Sequence, residues 1–397
     1  MTPLLRKFFG LNWLLFANII GLVVWGIYAI YNASSFREEP SLARKWLDQT
    51  TWAGIGLVVF FCAALIDYKW MRWGAWIMYV IGILGLIAVK IFGKVINGSQ
   101  NRIEVGSFQI QPSQLTICGV IIALAIVLGD LHRVFPAFRY HWLRLAVSGV
   151  LAGVPMLIVL KEPDLGSAAV YGPVVVAMLL VANIPFRYLI TLILVVLTAL
   201  PLAYFFGLKP YQKKRVEVFY NMLAGKPVDV LKEGYMANNI LLAVGSAGFE
   251  GKGPLSEKVP EHRSVHRSLF SKTESINDFI FAVIVEEFGF QGAVLHIAAT
   301  ALLLLQCIFI AFYARDHIGR LFVVGVVGMM AAHSIQNMGM NIVMMPITGI
   351  PLPFISYSGT FLVVCMFLMG LVQSVWIHRN VSPVKKSEQA EELPADI

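Results

Sequence analysis

NWLLFANIIGLVVWGIYAIYNA, residues 12–33, runs for 22 residues without a single charge. As a helix it would rise about 33 Å at 1.5 Å per residue, enough to cross a hydrocarbon core of about 30 Å. Comparable apolar runs follow at 51–66, 74–89, 115–128, 143–160, 168–182, 188–208, 292–314, 321–343 and 360–377. Together they predict about ten transmembrane helices. Composition agrees: of 397 residues 58% are hydrophobic and only 14% charged, against roughly 25% charged in soluble domains. A chain that crosses lipid repeatedly must satisfy its own backbone, which leaves helices or a closed barrel. The short alternating segments of a barrel are absent. The expected fold is an all-α integral membrane protein, with residues 1–380 forming one polytopic domain.

Arg6 and Lys7 precede the first run, and no small-residue cleavage site follows it, so it reads as an uncleaved first helix. Cys62, Cys118, Cys307 and Cys365 all lie in apolar runs and read as small buried residues rather than disulfides or metal ligands. Basic residues of the short loops set the orientation. With the N-terminus inside, the cytoplasmic segments hold Arg6, Lys7, Lys69, Arg72, Arg133, Arg139, Arg144, Arg187, Arg315, Arg320, Arg379, Lys385 and Lys386. The opposite short loops hold only Arg37, Arg44, Lys45, Lys90, Lys94, Arg102 and Lys161. Both termini are therefore expected in the cytoplasm, and residues 381–397 as a disordered cytoplasmic tail. The net charge of +8 is partly this topology. With no basic stripe on a soluble domain, nucleic acid is excluded as a partner.

Four segments depart from ordinary connections, and all fall on the extracytoplasmic side. A 69-residue insertion, 209–277, separates the seventh and eighth spans and carries eleven Lys/Arg, among them Lys213, Lys214 and Arg215. It is either a solvated loop or a landing site for an anionic headgroup. Residues 97–114 hold Arg102, Glu104 and the run Gln111-Pro112-Ser113-Gln114. Residues 161–167 read KEPDLGS. Residues 345–360 read MPITGIPLPFISYSGT, irregular backbone at membrane depth, which is tolerated only when packed in protein or lining a wet cavity. Their coincidence on one side predicts an outward-facing site.

Asp278 opens the stretch where the long insertion re-enters the membrane. A carboxylate at an apolar boundary suits general-base work; a helix N-cap is the competing assignment. Glu286 and Glu287 read as hydrogen bonders at a helix break near Gly289, or as a second catalytic pair. Arg102 suits a phosphate oxygen through its bidentate fork, or a pairing with Glu104. Asp164 either caps the sixth span or meets a cation of a substrate site. His262 and His266 share i, i+4 spacing without a third ligand, so no metal ligand set is expected. GFEGKG, 248–253, lacks the Lys-Ser/Thr ending of a phosphate loop and a strand before it. The methionines from Met329 to Met345 read as packing.

QPSQ (111–114), EPDLGSA (162–168), LKPYQKKR (208–215), GYMANNILLAVGSAGFEGKG (234–253), DFIFAVIVEEFGFQG (278–292) and QNMGMNIVMMPITGIPLPFISYSG (336–359) together resemble the SEDS family, which comprises RodA, FtsW and SpoVE. PITGIPLPF and the ending GLVQSVWIHR (370–379) look more like the RodA branch. The resemblance implies a ten-helix peptidoglycan glycosyltransferase of the bacterial inner membrane, serving elongation and cell shape. It would polymerise lipid II into β-1,4 glycan with inversion and release undecaprenyl pyrophosphate. Asp278 would be its catalytic carboxylate. The substrate-contacting positions it suggests are Arg102, Gln111, Ser113, Gln114, Asp164, Lys213, Arg215, Lys252, Pro353 and Ser356. The site would face the periplasm or exterior. A divalent cation, Mg or Mn, is implied as cofactor, though no residue pattern reveals it. The implied partners are a class B penicillin-binding protein, a transpeptidase, and other elongation-complex proteins.

Several positions depart from the family pattern. Gln114 and Ile117 stand where QPSE-x-x-K has a carboxylate and a lysine, and Ile103 replaces a tryptophan. ESIND (274–278) runs up to Asp278 in place of LPE-x-HTD, and SYSGTF replaces SYGGSS. Lys252, Lys272 and Glu274 are candidates to compensate. Two other functions fit the same composition: a transporter of lipid-linked precursors, and a non-catalytic lipid II-binding scaffold of the elongation machinery.

Overall fold

The computed structural model describes residues 3–34, 40–96, 99–105, 108–131, 135–162, 164–202, 205, 210–229, 234–253, 264–265, 269–270 and 275–379. The tail 381–397, His262, His266, Lys272 and Glu274 lie outside the described residues.

The helices are α1 (Pro3–Phe9), α2 (Trp13–Ser34), α3 (Pro40–Ala43), α4 (Lys45–Leu65), α5 (Met71–Phe92), α6 (Pro112–Gly129), α7 (His141–Lys161), α8 (Leu165–Val181) and α9 (Phe186–Leu202). They continue as α10 (Pro210–Leu223), α11 (Tyr235–Gly245), α12 (Ile280–Phe312), α13 (His317–Met340) and α14 (Gly359–Ile377). Among the described residues eight are long and apolar enough to cross a membrane. The apolar helices α8 and α9, 17 residues each, bring the set to the expected ten. The protein is a multi-pass membrane protein. One element differs from the polar loop expected at 97–114: three short strands around it form a small antiparallel sheet. Its strands are β1 (Lys94–Ile96), β2 (Ser99–Val105) and β3 (Phe108–Ile110), in the order β1-β2-β3.

Helix α6 is the axis of the bundle. It is apolar all round, and every residue from Pro112 to Gly129 except Leu115 is buried, as expected of a helix without a solvent face. α5, α7, α8, α13 and α14 surround it. Polar groups join the helices at intervals. The Asn12 N–H donates to Gln373 Oε1 at 2.9 Å and Gln373 Nε2 returns a bond to the Asn12 carbonyl at 2.8 Å, tying the start of the chain to α14. Buried Arg144 donates to the carbonyls of Leu128 and Ala182, so one guanidinium satisfies the C-terminal ends of α6 and α8 together. The N-terminal ends of α6 and α8 consequently meet at the opposite end of the bundle.

α12 is broken at Gly289, whose φ of 66° and ψ of −159° lie in a region open only to glycine. The loop GFEGKG repairs the break. Lys252 N–H donates to the Glu286 carbonyl and Gly253 N–H to that of Glu287, both at 2.9 Å, while Phe290 N–H donates to the Gly248 carbonyl at 3.1 Å. Gly251 (φ 82°) stands back-to-back with Gly289, and a Cβ on either would strike the other's backbone. The motif that superficially resembled a phosphate loop is a plug for a broken membrane helix. Glu286 serves the same joint, accepting from Lys252 Nζ at 2.6 Å and from the Val265 N–H at 2.7 Å.

Gly289→Ala should therefore lower stability by about 1–3 kcal/mol or more. Gly149→Ala, where a Cβ meets nothing within 4 Å, should be neutral. Thermal unfolding of both variants in detergent checks this.

Candidate active site

Asp278 lies in the turn before α12 and is half-buried. It is not the helix cap: the Ala282 N–H, which would bond to the carbonyl of a residue in that role, donates instead to Asn341 Oδ1 at 3.3 Å. The Asp278 carbonyl is taken by two side-chain amides, Nδ2 of Asn337 and Nδ2 of Asn341, each at 3.0 Å. Both asparagines are fully buried and stand one turn apart, Asn337 in the last turn of α13 and Asn341 just past its end. Asn337 Nδ2 also donates to the Ile350 carbonyl at 2.7 Å. Asn337 thus binds the Asp278 turn to the irregular segment 345–358, and Asn341 reinforces its hold on the turn.

That segment holds the preceding residues as well. Ser356 Oγ donates to the Asn277 carbonyl at 2.6 Å and accepts from the Leu352 N–H at 2.7 Å, and the Tyr357 N–H donates to the Ile276 carbonyl at 2.9 Å. Phe354, in the middle of this turn, has φ of 65°, unusual for a bulky side chain. The strain is held by the bonds from Ile355 and Ser356 N–H to the Leu352 carbonyl. With the backbone pinned on both sides, the Asp278 carboxylate stands over Gly349, where a Cβ would lie 3.1 Å from Oδ2. Gly349 has φ of 71°, so conformation and space both require glycine there.

Beyond Gly349 the contacts continue to the other predicted segments. Gly166 admits Thr348 and Ile350 against the start of α8. Asp164 caps α8, accepting from the Ser167 N–H at 2.9 Å, and takes a further bond from Gln111 Nε2 at 3.0 Å. Gln114 Nε2 donates to Gln111 Oε1 at 2.9 Å, completing a buried chain Gln114–Gln111–Asp164. Arg215, on α10, donates to the Ile347 carbonyl at 3.2 Å. Asp278, Asp164, Gln111, Gln114, Arg215 and Ser356 are therefore linked through the 345–358 segment, with buried Ser113 beside Gln114 on α6.

The remaining candidates are placed differently. Arg102 is half-buried on β2, opposite Lys94; the side chain of Glu104 falls outside the described residues. Lys213 Nζ donates to the Phe205 carbonyl at 2.9 Å. Lys252 is engaged by Glu286 at the α12 break. Pro353 is buried in the strained turn, and the Ser356 hydroxyl is used twice in holding it. Among the described residues no three His, Cys, Asp or Glu side chains gather into a metal site. Asn337 and Asn341 went unremarked in the sequence. Two amides at i, i+4, at the end of a largely apolar helix, are the signal that would have found them, because polar groups at membrane depth are kept for a purpose.

An apolar furrow of about 910 Å³ runs along α8, α12 and α13, lined by Pro173, Ala177, Ile308, Gly328, Gln336 and Pro346 among others. From Arg320 to Gln336 it follows about 24 Å of α13. Its far end reaches the site, since Gln336 Nε2 donates to Thr348 Oγ1 at 2.9 Å.

A helical bundle with a polar cluster at one end and an apolar furrow leading to it makes this a polytopic membrane protein. The family model for cell cycle proteins of the FtsW/RodA/SpoVE type matches residues 11–381, and the chain belongs to that family. It is 29% identical to peptidoglycan glycosyltransferase RodA of Treponema pallidum, over 92% of this chain and 97% of that one. It is 28% identical to peptidoglycan glycosyltransferase MrdB of Escherichia coli K12 (91% and 92% covered). It is 30% identical to stage V sporulation protein E of Bacillus subtilis (89% and 93%). Among solved structures it superposes on a chain of a peptidoglycan synthase complex that coordinates polymerization and crosslinking, with TM-score 0.73, 25% identity and 94% and 99% of the two chains covered. Thermus thermophilus RodA matches with TM-score 0.65 and 26% identity, over 93% and 98%.

Glu162, in the connection between α7 and α8, is buried beside Asp164. Burial first, and then the Asp164 carboxylate, push its carboxyl up to about 8, against the pull of Lys90. The folded protein therefore holds a proton there that the unfolded chain gives up near pH 4.5. Stability should fall as pH rises from about 5 to 8. Glu162→Gln should remove that slope, read as melting temperature against pH in detergent.

Proposed function

We propose that the protein is a peptidoglycan glycosyltransferase of the bacterial inner membrane that polymerises lipid II during elongation and shape maintenance. The observation that carries this is the Asp278 carboxylate, pinned through its own backbone at the end of an apolar furrow. In the proposed reaction Asp278 accepts the proton of the acceptor sugar hydroxyl. That oxygen attacks the anomeric carbon of the donor with inversion, and undecaprenyl pyrophosphate leaves. The furrow would hold the polyprenyl chain, and Arg102 with the basic insertion would meet the pyrophosphate, an anion that a guanidinium attracts more strongly near a low-dielectric boundary. Half-buried Gln111 would offer its amide to the sugars beside it, held in place by buried Gln114 and Asp164.

A divalent ion would stabilise the leaving pyrophosphate. Ions of the magnesium type are commonly held by one or two carboxylates together with substrate phosphates. Asp278 and the substrate would suffice, without a protein cage. We place the site on the periplasmic or outer face and both termini in the cytoplasm, following the basic loops. The partner would be a class B penicillin-binding protein, in keeping with the synthase complex whose chain this one resembles.

The substitutions at 114 and 117 are compatible with activity. A charged pair buried three residues apart costs desolvation, and removing one member strands the other. Here both are gone: Gln114 joins a neutral amide chain, and Ile117 is 4% exposed in the apolar core. No charge is left without its complement, as loss of the lysine alone would leave one.

Purified protein in liposomes supplied with lipid II should yield glycan that no β-lactam blocks. Asp278→Ala should abolish the product while the melting temperature holds. Full activity in that variant would refute the catalytic assignment. If the protein is a transporter, fluorescent lipid II should instead cross loaded vesicles at a rate indifferent to Asp278; if a scaffold, no polymer should form under any condition. Arg102→Ala should weaken lipid II binding about tenfold or more, with Arg102→Lys restoring only part because the fork is lost. A titration beside a thermal melt separates this from a structural role, which would lower the melting temperature at unchanged affinity.

A further inference from the structure

Lys45, Asp48 and Tyr357 come from segments more than three hundred residues apart and close into a triangle. Lys45 Nζ donates to the Tyr357 hydroxyl at 3.2 Å and to Asp48 Oδ2 at 3.3 Å, and that hydroxyl donates to the same carboxylate oxygen at 3.3 Å. The ammonium also stands 5.0 Å from the centre of the Tyr357 ring. One residue further along α4, buried Gln49 donates from Nε2 to the Ser356 carbonyl at 3.2 Å. The first turn of α4 therefore grips the dipeptide Ser356–Tyr357. The same dipeptide, through the Ser356 hydroxyl and the Tyr357 N–H, holds the Asn277 and Ile276 carbonyls immediately before Asp278.

The triangle is poorly suited to stabilising the fold. The side chains of Lys45 and Asp48 are 28% and 50% exposed, and such pairs are screened and contribute little. Its geometry is better suited to direction. A phenol bonded to two charged groups fixes the rotation of the turn that holds the 276–278 backbone, and small misplacements of a reacting group lower rates more than affinities.

We propose that Lys45, Asp48 and Tyr357 form a positioning latch that sets Asp278 for reaction, with the start of α4 as its anchor. None of the three need touch substrate. The latch rests on the glycosyltransferase reading for its kinetic consequence, but its structural consequence is measurable without any activity.

Tyr357→Phe keeps the ring and the backbone N–H and removes only the hydroxyl; Lys45→Met removes the cation from the other side. In Tyr357→Phe, kcat on lipid II should fall about tenfold with KM held within about twofold. Lys45→Met should change in the same direction, and the double variant should be no worse than Tyr357→Phe alone, as for one coupled unit. Amide exchange should quicken in peptides covering 275–283 and 352–358, with the melting temperature unchanged. Faster exchange in a protein whose wild type makes no glycan would support the latch and refute the enzymatic reading. Unchanged exchange in both variants, a raised KM at constant kcat, or additive losses would each overturn the latch. Should Tyr357→Phe fail to fold, Lys45→Met carries the same test.

Discussion

The carbonyl of Asp278 is satisfied by two fully buried side-chain amides, those of Asn337 and Asn341 at the end of α13. An unsatisfied carbonyl at this depth costs several kcal/mol, so the turn cannot stray far from α13 without loss. Asn337 also holds the Ile350 carbonyl, which makes one side chain the hinge pin between the Asp278 turn and the segment 345–358. The contacts at Gly349 and Gly166 follow from that junction, because each depends on where segment 345–358 lies. A membrane protein that needs a charged group at a lipid boundary must first solve the solvation of the irregular backbone beside it. Here the solution comes from α13.

The break in α12 obeys the same constraint by other means. Gly289 interrupts the helix ladder in a region where the neighbouring chain is apolar, and the freed groups pair with the backbone of residues 248–253. The insertion between α9 and α12 thus has a structural duty besides any contact with an anionic headgroup. It completes a helix. Lys252 belongs to that duty, since its ammonium pairs with Glu286, which is 1% exposed and would otherwise be an expensive buried charge. A cation that looked available from the sequence is engaged by an acid that had been weighed as a hydrogen bonder at a helix break.

Hydrophobic run length made the helices legible, because lipid allows no other way to satisfy so long an apolar backbone. The irregular polar segments were legible too, and QPSQ, EPDLGSA, MPITGIPLPFISYSGT and Asp278 do come together in the structure. What stayed hidden was partnership. Asp164 was legible as a cap but its bond to Gln111, fifty-three residues away, is a tertiary fact with no local signature. The small sheet β1–β3 has no such signature either, because its strands are short and flanked by glycine and polar residues, without the alternation that announces a strand. Ser356 stood in the right segment, but its hydroxyl braces the turn under Asp278, a role that residue type and spacing cannot distinguish from binding.

The same constraint explains which parts of the family pattern this chain has relinquished. Glycines at 166, 289 and 349 and asparagines at 337 and 341 sit where backbone approaches backbone, and no other side chain can replace them without a clash or an orphaned carbonyl. Gln114 and Ile117 stand on a helix that is buried on every side, where the demand is only that no charge be left alone. A neutral amide bonded to Gln111 and an aliphatic side chain in the core meet that demand as a pair. The geometry around Asp278 is fixed by backbone solvation, and the polar lining next to it is fixed only by charge balance. The first constraint tolerates no exchange, whereas the second can be met by several sets of residues.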